Sequence, residues 1–170
     1  MQAEERVKVL RESAYVERCH TIPHVGSYTI AQHCYGALNL LLVLHPQPSL
    51  NLVKAVMWHD AHERYIGDTP ASALWSDGEF AKLYDRLAKR IDRACGFTIE
   101  LTAMDRIWLH AVDKIELLLW AKEQLGLGNH NAACICGNLA SWFAHNEIPI
   151  QCKRIVEKYD IMRNPDELPG

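Results

Sequence analysis

The chain has 170 residues, of which 49% are hydrophobic and 23% are charged, and its formal net charge is −3 at pH 7. This size and composition are typical of one globular domain, and they exclude a largely disordered chain. Without a basic excess, a nucleic-acid-binding surface is not expected. No apolar run reaches the roughly 18 residues that span a bilayer, and the acidic N-terminus does not resemble a signal peptide, so a cytoplasmic protein with no membrane partner is expected.

The six cysteines lie at positions 19, 34, 95, 134, 136 and 152, and none of them forms a CxxC pair. A zinc knuckle is therefore not expected. Because the chain also lacks an export signal, its cysteines are predicted to be reduced and to serve mostly as small core residues.

Helical periodicity, interrupted by proline and glycine, divides the chain into helices and loops. The predicted helices cover residues 3–14, 29–44, 49 to 63 or 64, 77–94, 98 or 102 to 125, 132–145 and 150–159. Residues 18–28 contain Pro23 and Gly26 and are predicted to form a loop. No segment alternates with period two over more than a few residues. The sequence therefore predicts a single all-α domain over residues 1–170, a bundle of six or seven helices.

His59 and Asp60 stand inside an otherwise apolar predicted helix. Residues three and four apart share a helix face, so Glu63 is predicted to lie one turn beyond both of them. An imidazole and a carboxylate buried among Val, Met and Trp side chains are costly unless each has a partner, and a divalent cation would satisfy them together. Imidazole with carboxylate favours Zn, Mn, Fe, Co or Ni over Ca.

Two further residues fit the same set of ligands. His33 lies on the preceding helix, and Asp113 lies among apolar residues of a later one. With His59 and Asp60 they would provide two nitrogen and two oxygen ligands, and leave positions open for water and substrate.

Each of these residues also has a plainer interpretation. His33 alone is typical of a core or surface histidine, and His59 of a histidine at a helix C-terminus paired with a carboxylate. Asp113 alone would be explained by an ion pair with Lys114 or Arg106.

The order His … His-Asp … Asp resembles that of the HD superfamily of metal-dependent phosphohydrolases, which are all-helical. The stretch His59–Pro70 (HDAHERYIGDTP) is more specific. Its HD-x-x-E followed by G-D-x-P resembles bacterial 5'-deoxynucleotidases and the small phage-type deoxynucleoside triphosphohydrolases that act on dATP. The likeness extends from about Arg18 to Trp120. It implies an HD domain whose metal ligands are His33, His59, Asp60 and Asp113.

The resemblance also implies roles for other polar residues. Glu63 would be the catalytic acid or base, and Asp68 would orient the substrate or support Glu63. Arg18 would hold the phosphate or sugar, and Lys114 would contact a phosphate. Plainer roles remain open: Glu63 as a partner of Arg64, Asp68 as a cap of its own turn, and Arg18 and Lys114 as solvated charges.

Further substrate contacts are expected from His20 and Ile22, on the loop after Arg18, and from Trp75, which would border the nucleobase pocket. The loop RCHTIP departs from the monophosphatase pattern, in which an aromatic residue often follows the arginine. This departure favours a triphosphohydrolase.

The expected function is hydrolysis of the 5' phosphoester of a purine 2'-deoxynucleotide, with a divalent transition metal such as Zn, Co or Mn and a second divalent ion carried by the substrate. The first candidate is a dNTP triphosphohydrolase that releases deoxynucleoside and triphosphate from dATP. The alternatives are a 5'-deoxynucleoside monophosphatase and a non-catalytic metal or nucleotide sensor. The presence of Glu63 and Asp68 disfavours the sensor, which needs no proton-transfer group.

The last two predicted helices carry apolar residues that would suit a subunit contact, namely Trp142, Phe143, Ile148 and Ile150. A homo-oligomer is therefore expected. The expected compartment is the cytoplasm of a bacterium, or of the host cell for a phage-encoded protein.

Overall fold

The computed structural model describes residues 1–159, and within these residues it contains nine α-helices and no strand. The helices are α1 (Ala3–Ser13), α2 (Ile30–Leu44), α3 (Leu50–Trp58), α4 (Glu63–Ile66), α5 (Ala71–Ser76), α6 (Gly78–Cys95), α7 (Ala103–Gly126), α8 (Ala133–His145) and α9 (Ile150–Lys158). A short 3₁₀ helix (His130–Ala132) precedes α8. The predicted all-α class is confirmed. Residues 160–170 of the predicted domain lie outside the described residues.

Polar caps define where the longer helices begin. The hydroxyl groups of Thr29, Ser49 and Thr102 each accept a hydrogen bond from a backbone N–H in the first turn of α2, α3 and α7. The carboxylate of Asp77 does the same for α6. Gly96 ends α6 with a positive φ of 73°, a backbone conformation that favours glycine. These boundaries follow from local sequence, because each cap satisfies N–H groups that the helix itself leaves without partners.

The helix predicted from Ser49 to Glu63 or Arg64 is interrupted, and that prediction is wrong. Helix α3 ends at Trp58, and α4 begins only at Glu63. Between them the chain tightens into turns in which Ala61 N–H donates to the carbonyl of Trp58 and Glu63 N–H to that of Asp60, both at 3.0 Å. These three-residue hydrogen bonds replace the four-residue bonds of an α-helix. With α4 and α5 added, the helix count exceeds the predicted six or seven.

Helix α7 runs through the centre of the fold. One face packs with α2 and α3 around a core cluster that contains Ala37, Leu41, Leu52, Val56, Trp108, Ala111, Val112, Ile115 and Cys152. Another face packs with α8 around a second cluster that contains Tyr28, Leu118, Trp120, Ala121, Ala132, Ile135, Cys136 and Leu139. No helix in the described part of the chain is both long and apolar enough to cross a membrane. The polar residues of interest lie between these two clusters, where α2, α3 and α7 meet.

The predicted loop between α1 and α2 is tied down by backbone hydrogen bonds. Arg18 N–H donates to the carbonyl of Tyr28 at 2.7 Å. The side-chain amide of Gln124 on α7 bonds both the N–H of Val25, at 2.8 Å, and its carbonyl, at 2.9 Å. The loop is therefore part of the packed structure, and it delivers Arg18 and Tyr28 to the region between α2 and α7.

Candidate metal centre

Four side chains predicted as metal ligands converge on one point. The Nε2 atoms of His33 and His59 lie 3.2 Å apart. Asp113 Oδ1 lies 3.2 Å from the first and 3.9 Å from the second. Asp60 Oδ2 lies 3.8 Å from His33 Nε2 and 3.3 Å from His59 Nε2. Ligands bonded to one ion at about 2.0–2.2 Å are themselves roughly 3 to 3.5 Å apart. His33, His59 and Asp60 form a group that could hold one divalent ion, and Asp113 borders this group through His33.

The other nitrogen of each imidazole is held by a hydrogen-bond acceptor. The carbonyl of Val56 lies 2.9 Å from His59 Nδ1, and the carboxylate of Glu116 bonds His33 Nδ1. When Nδ1–H donates in a neutral ring, Nε2 carries the lone pair that faces the shared point. This is the tautomer that a metal ligand requires.

The histidine on α2 binds a proton tightly when no ion is present. Burial and the charge of Arg18 both lower the pKa of His33, but hydrogen bonds to Asp113 and Glu116 outweigh them and raise that pKa to about 9. Since an imidazole must be neutral at Nε2 to coordinate a metal, ion binding would displace this proton.

Both carboxylates remain ionised despite their burial. Burial raises the pKa of Asp113, but the charges of Lys114 and His33 outweigh it and hold that pKa well below its usual value. Burial likewise raises the pKa of Asp60, and His59 and Arg18 more than offset it. Two negative oxygens and two nitrogens therefore face the same point, as a divalent cation requires.

Glu63 is buried beside this set, and its Oε2 has no hydrogen-bond partner among the described residues. Removal from water, followed by the negative charge of Asp60, raises the pKa of Glu63 to about 9. The side chain is therefore protonated at neutral pH in the metal-free protein. A buried carboxylic acid with a spare oxygen next to a candidate metal centre can transfer a proton to or from a reacting group.

Asp68 anchors the loop that carries Arg18. Its Oδ2 accepts a hydrogen bond from the backbone N–H of Cys19 at 2.9 Å and lies 3.6 Å from His20 Nδ1. Cys19 has a positive φ of 53°, which is unusual for a residue with a side chain, so this bond offsets part of the cost of that conformation. The predicted role of Asp68 in catalysis stays a prediction.

The two predicted phosphate-binding cations are paired with candidate ligands. The guanidinium of Arg18 is buried and bonds Asp60 Oδ2, while its Nε lacks a hydrogen-bond partner among the described residues. Lys114 Nζ lies 2.9 Å from Asp113 Oδ2, which is the ion pair considered above as the plainer interpretation of that aspartate. Asp113 Oδ1 remains directed at the histidines, so the ion pair and a ligand role are compatible.

The other predicted substrate contacts lie at or near the surface. His20 has a side chain that is 48% exposed, and Trp75 on α5 is 66% exposed. Ile22 is half-buried against the cluster around Tyr28 and Trp120. Their contacts with a nucleotide stay predictions.

Sequence reasoning missed Glu116 and Tyr28. Glu116 bonds His33 Nδ1, and the hydroxyl of Tyr28 donates to the same carboxylate oxygen at 2.5 Å. Glu116 lies three residues after Asp113, on the same face of α7. This spacing is a sequence signal from which Glu116 could have been predicted.

A second polar group joins α6 to the turn after Asp60. His62 is buried, with Nε2 3.3 Å from the hydroxyl of Tyr84 and Nδ1 3.5 Å from Asp92 Oδ1. These contacts position the segment that carries Glu63.

No family model matches the sequence, and no curated protein matches it. Among solved structures, the chain is similar to the cyanophage S-2L HD phosphohydrolase DatZ bound to dA and one catalytic Zn²⁺ ion. The TM-score is 0.65 at 12% sequence identity, and the match covers 94% of each chain. Structural similarity at this low sequence identity establishes the fold but does not identify the substrate. The chain therefore has the HD-phosphohydrolase fold, as the order of its histidines and aspartates predicts.

Proposed function

We propose that the chain is a divalent-metal-dependent phosphohydrolase whose metal ligands are His33, His59, Asp60 and Asp113. The convergence of two Nε2 atoms and two carboxylate oxygens at separations of 3.2 to 3.9 Å carries this proposal. The HD fold supports it, and so does Glu63, whose Oε2 has no hydrogen-bond partner among the described residues. A sensor would need the ligands but not the acid.

A bound ion such as Zn, Co or Mn would supply Lewis-acid activation of water and of the phosphoryl oxygens. Glu63 holds the proton that the leaving oxygen needs, or accepts one from the attacking water once it is ionised. The unpartnered Nε of Arg18 would offset charge on the phosphoryl group in the transition state. Glu63 and Arg18 both lie beside the proposed metal ligands. Water can therefore attack the phosphorus directly, and no covalent enzyme intermediate is needed.

We further infer that the substrate is a purine deoxynucleoside triphosphate, with dATP the first candidate. A cavity of about 460 Å³ adjoins His59, and its charged lining consists of Lys89, Arg93 and Arg106 and one carboxylate, Asp92. Several cations in one cavity suit a polyphosphate chain better than a single phosphate. The RCHTIP loop supports the same choice, and so does the dA bound to the solved structure of similar fold. A second divalent ion would then arrive with the triphosphate.

Product analysis tests this function directly. The protein is loaded in turn with cobalt, manganese and zinc, incubated with each deoxynucleoside mono-, di- and triphosphate, and the products are separated by chromatography. Triphosphate and deoxynucleoside released from dATP are expected. Turnover of monophosphates alone would identify a 5'-deoxynucleotidase, and no turnover with any ion would contradict the enzyme.

Replacing Arg93 or Arg106 by alanine is expected to separate triphosphate from monophosphate hydrolysis. A lost charged hydrogen bond to phosphate costs about 1.5–3 kcal/mol, which corresponds to a roughly 10- to 100-fold lower kcat/KM for dATP. Any turnover of dAMP, which lacks the β- and γ-phosphates that these arginines would bind, is expected to stay within a few-fold. Arg86→Ala, on an exposed part of the same helix α6, is the matched control. Equal losses on both substrates would place the phosphate chain elsewhere.

We also infer a homo-oligomer that uses the surface of α8 and α9. Ile150 is 59% exposed and Trp142 is half-buried, which supports this surface. Phe143 and Ile148 contribute less, because both pack partly against the core. Light scattering of the purified protein measures the oligomeric state.

We infer that residues 1–170 act as one domain in the cytoplasm. The central packing of α7 against α2, α3, α8 and α9 supports a single folding unit. The six cysteines, all free thiols, are compatible with a reducing compartment.

A further inference from the structure

Glu116 lies behind the candidate metal centre, on the side of His33 opposite its Nε2. The carboxylate projects from α7 one turn after Asp113 and bonds Nδ1 of His33, which is fully buried. Its Oε2 also accepts the hydroxyl hydrogen bond of Tyr28 at 2.5 Å. Tyr28 is itself fixed by a ring stack on Trp120, with centroids 4.3 Å apart. The carboxylate is therefore held from two directions and cannot rotate freely.

Gly36 on α2 leaves the space that this carboxylate fills. A Cβ atom at position 36 would lie 2.8 Å from Glu116 Cγ and 3.0 Å from its Oε1. Glycine in a helix interior lowers helix stability relative to alanine, so α2 gains nothing locally from this residue. The close approach of Glu116 to α2 explains why a glycine occupies position 36.

We propose that Glu116 is a positioning residue: it fixes the ring of His33 and the tautomer that offers Nε2 to the metal, in a space kept open by Gly36. The inference rests on the proposed metal site and concerns how that site is held. A carboxylate that accepts the Nδ1–H of a ligating histidine orients the ring and strengthens its metal-binding nitrogen. Partners of this kind typically account for 10- to 100-fold in metal affinity.

The inference has a competing explanation in which Glu116 only balances a buried histidine and has no effect on an ion. Two variants that disturb the carboxylate differently separate these explanations. Glu116→Gln keeps the shape and removes the charge, whereas Gly36→Ala keeps the carboxylate and displaces it. Gly137→Ala, in the interior of α8 with nothing within 4 Å of the added Cβ, is the matched control for glycine replacement.

The experiment measures Co²⁺ and Zn²⁺ affinity by competition with a chromophoric chelator, and records the visible spectrum of the Co²⁺-loaded proteins. Glu116→Gln is expected to bind both ions about 10- to 100-fold more weakly. Gly36→Ala is expected to weaken binding in the same direction and to shift the cobalt bands, while Gly137→Ala matches the wild type. A purely structural role would leave the cobalt spectrum unchanged.

A double variant makes the test independent of folding effects. Glu116→Ala removes the atoms that an alanine at position 36 would meet, so adding Gly36→Ala to it is expected to cause no further loss of affinity. Additive losses, or wild-type affinity and spectra in both single variants, would overturn the inference while leaving the proposed function intact. Absence of ion binding by the wild-type protein would instead overturn the proposed function and with it this inference.

Discussion

His59→Ala is expected to abolish metal binding and turnover. His59 supplies one of the two nitrogen donors, and its Nε2 lies 3.2 Å from that of His33. Because loss of a residue that merely supports a ligand already costs about 10- to 100-fold in metal affinity, loss of the ligand itself is expected to cost at least about 100-fold. Metal content after dialysis and hydrolysis of dATP are the two measurements.

The choice of this ligand keeps the result interpretable. His59 directly follows α3 and its side chain is 16% exposed, and after its removal Asp60 still has its ion pair with Arg18. Replacement of Asp60 would strand the buried guanidinium of Arg18, which destabilises the fold as well as the site. His145→Ala, at the exposed end of α8, controls for the loss of a histidine. Normal metal content in His59→Ala with retained activity would remove this residue from the ligand set.

Glu63→Gln is expected to lower kcat by about 10²- to 10⁴-fold while the bound metal is retained. The amide has nearly the same shape as the carboxylic acid but cannot transfer the proton. Single-turnover kinetics with the metal content measured in parallel separates this effect from loss of the ion. An unchanged kcat would assign the proton transfer to another group.

The same variant is expected to change how stability depends on pH. The pKa of Glu63 is about 9 in the folded protein, against 4.5 for an ordinary glutamate. Between these values the folded state retains a proton that the unfolded state releases, so the free energy of unfolding of the metal-free protein decreases as pH rises. Glutamine removes the part of this decrease that Glu63 causes. The variant is therefore more stable than the wild type at pH 8 and nearly equal to it at pH 4.5.

Denaturant unfolding of the metal-free proteins at both pH values measures this difference. Glu79→Gln, on the exposed first turn of α6, is the matched control and is expected to leave the pH dependence unchanged. If the free energy of unfolding changed equally with pH in the wild type and in Glu63→Gln, Glu63 would be ionised in the folded protein.

Local signals predicted most of the helices and the order of the candidate ligands. Ser49, Asp77 and Thr102 act as caps because their effect depends only on the next few residues. The motif around His59 and Asp60 is equally local, and it predicted the HD fold that the structure has.

Features that depend on contacts between helices were beyond the sequence. The break after Trp58 replaces helical hydrogen bonds with tighter turns in a segment whose composition still favours a helix. The spacing from Asp113 places Glu116 on the right face of α7, but its contact with α2 at Gly36, 80 positions earlier in the chain, depends on how the two helices pack. Trp75 lies on the short helix α5, and its contact with a nucleobase stays a prediction.

Helix α6 differs from α7 in how it is held. Of its residues only Ala88 and Cys95 are buried, whereas α7 buries residues along most of its length. Tyr84 and Asp92 join α6 to His62 through a few polar contacts. Local opening of such a helix costs much less free energy than global unfolding, so its backbone amides are expected to exchange with deuterium well before those of α7. Since α6 carries one wall of the basic cavity, local opening of this helix would also widen the proposed substrate site.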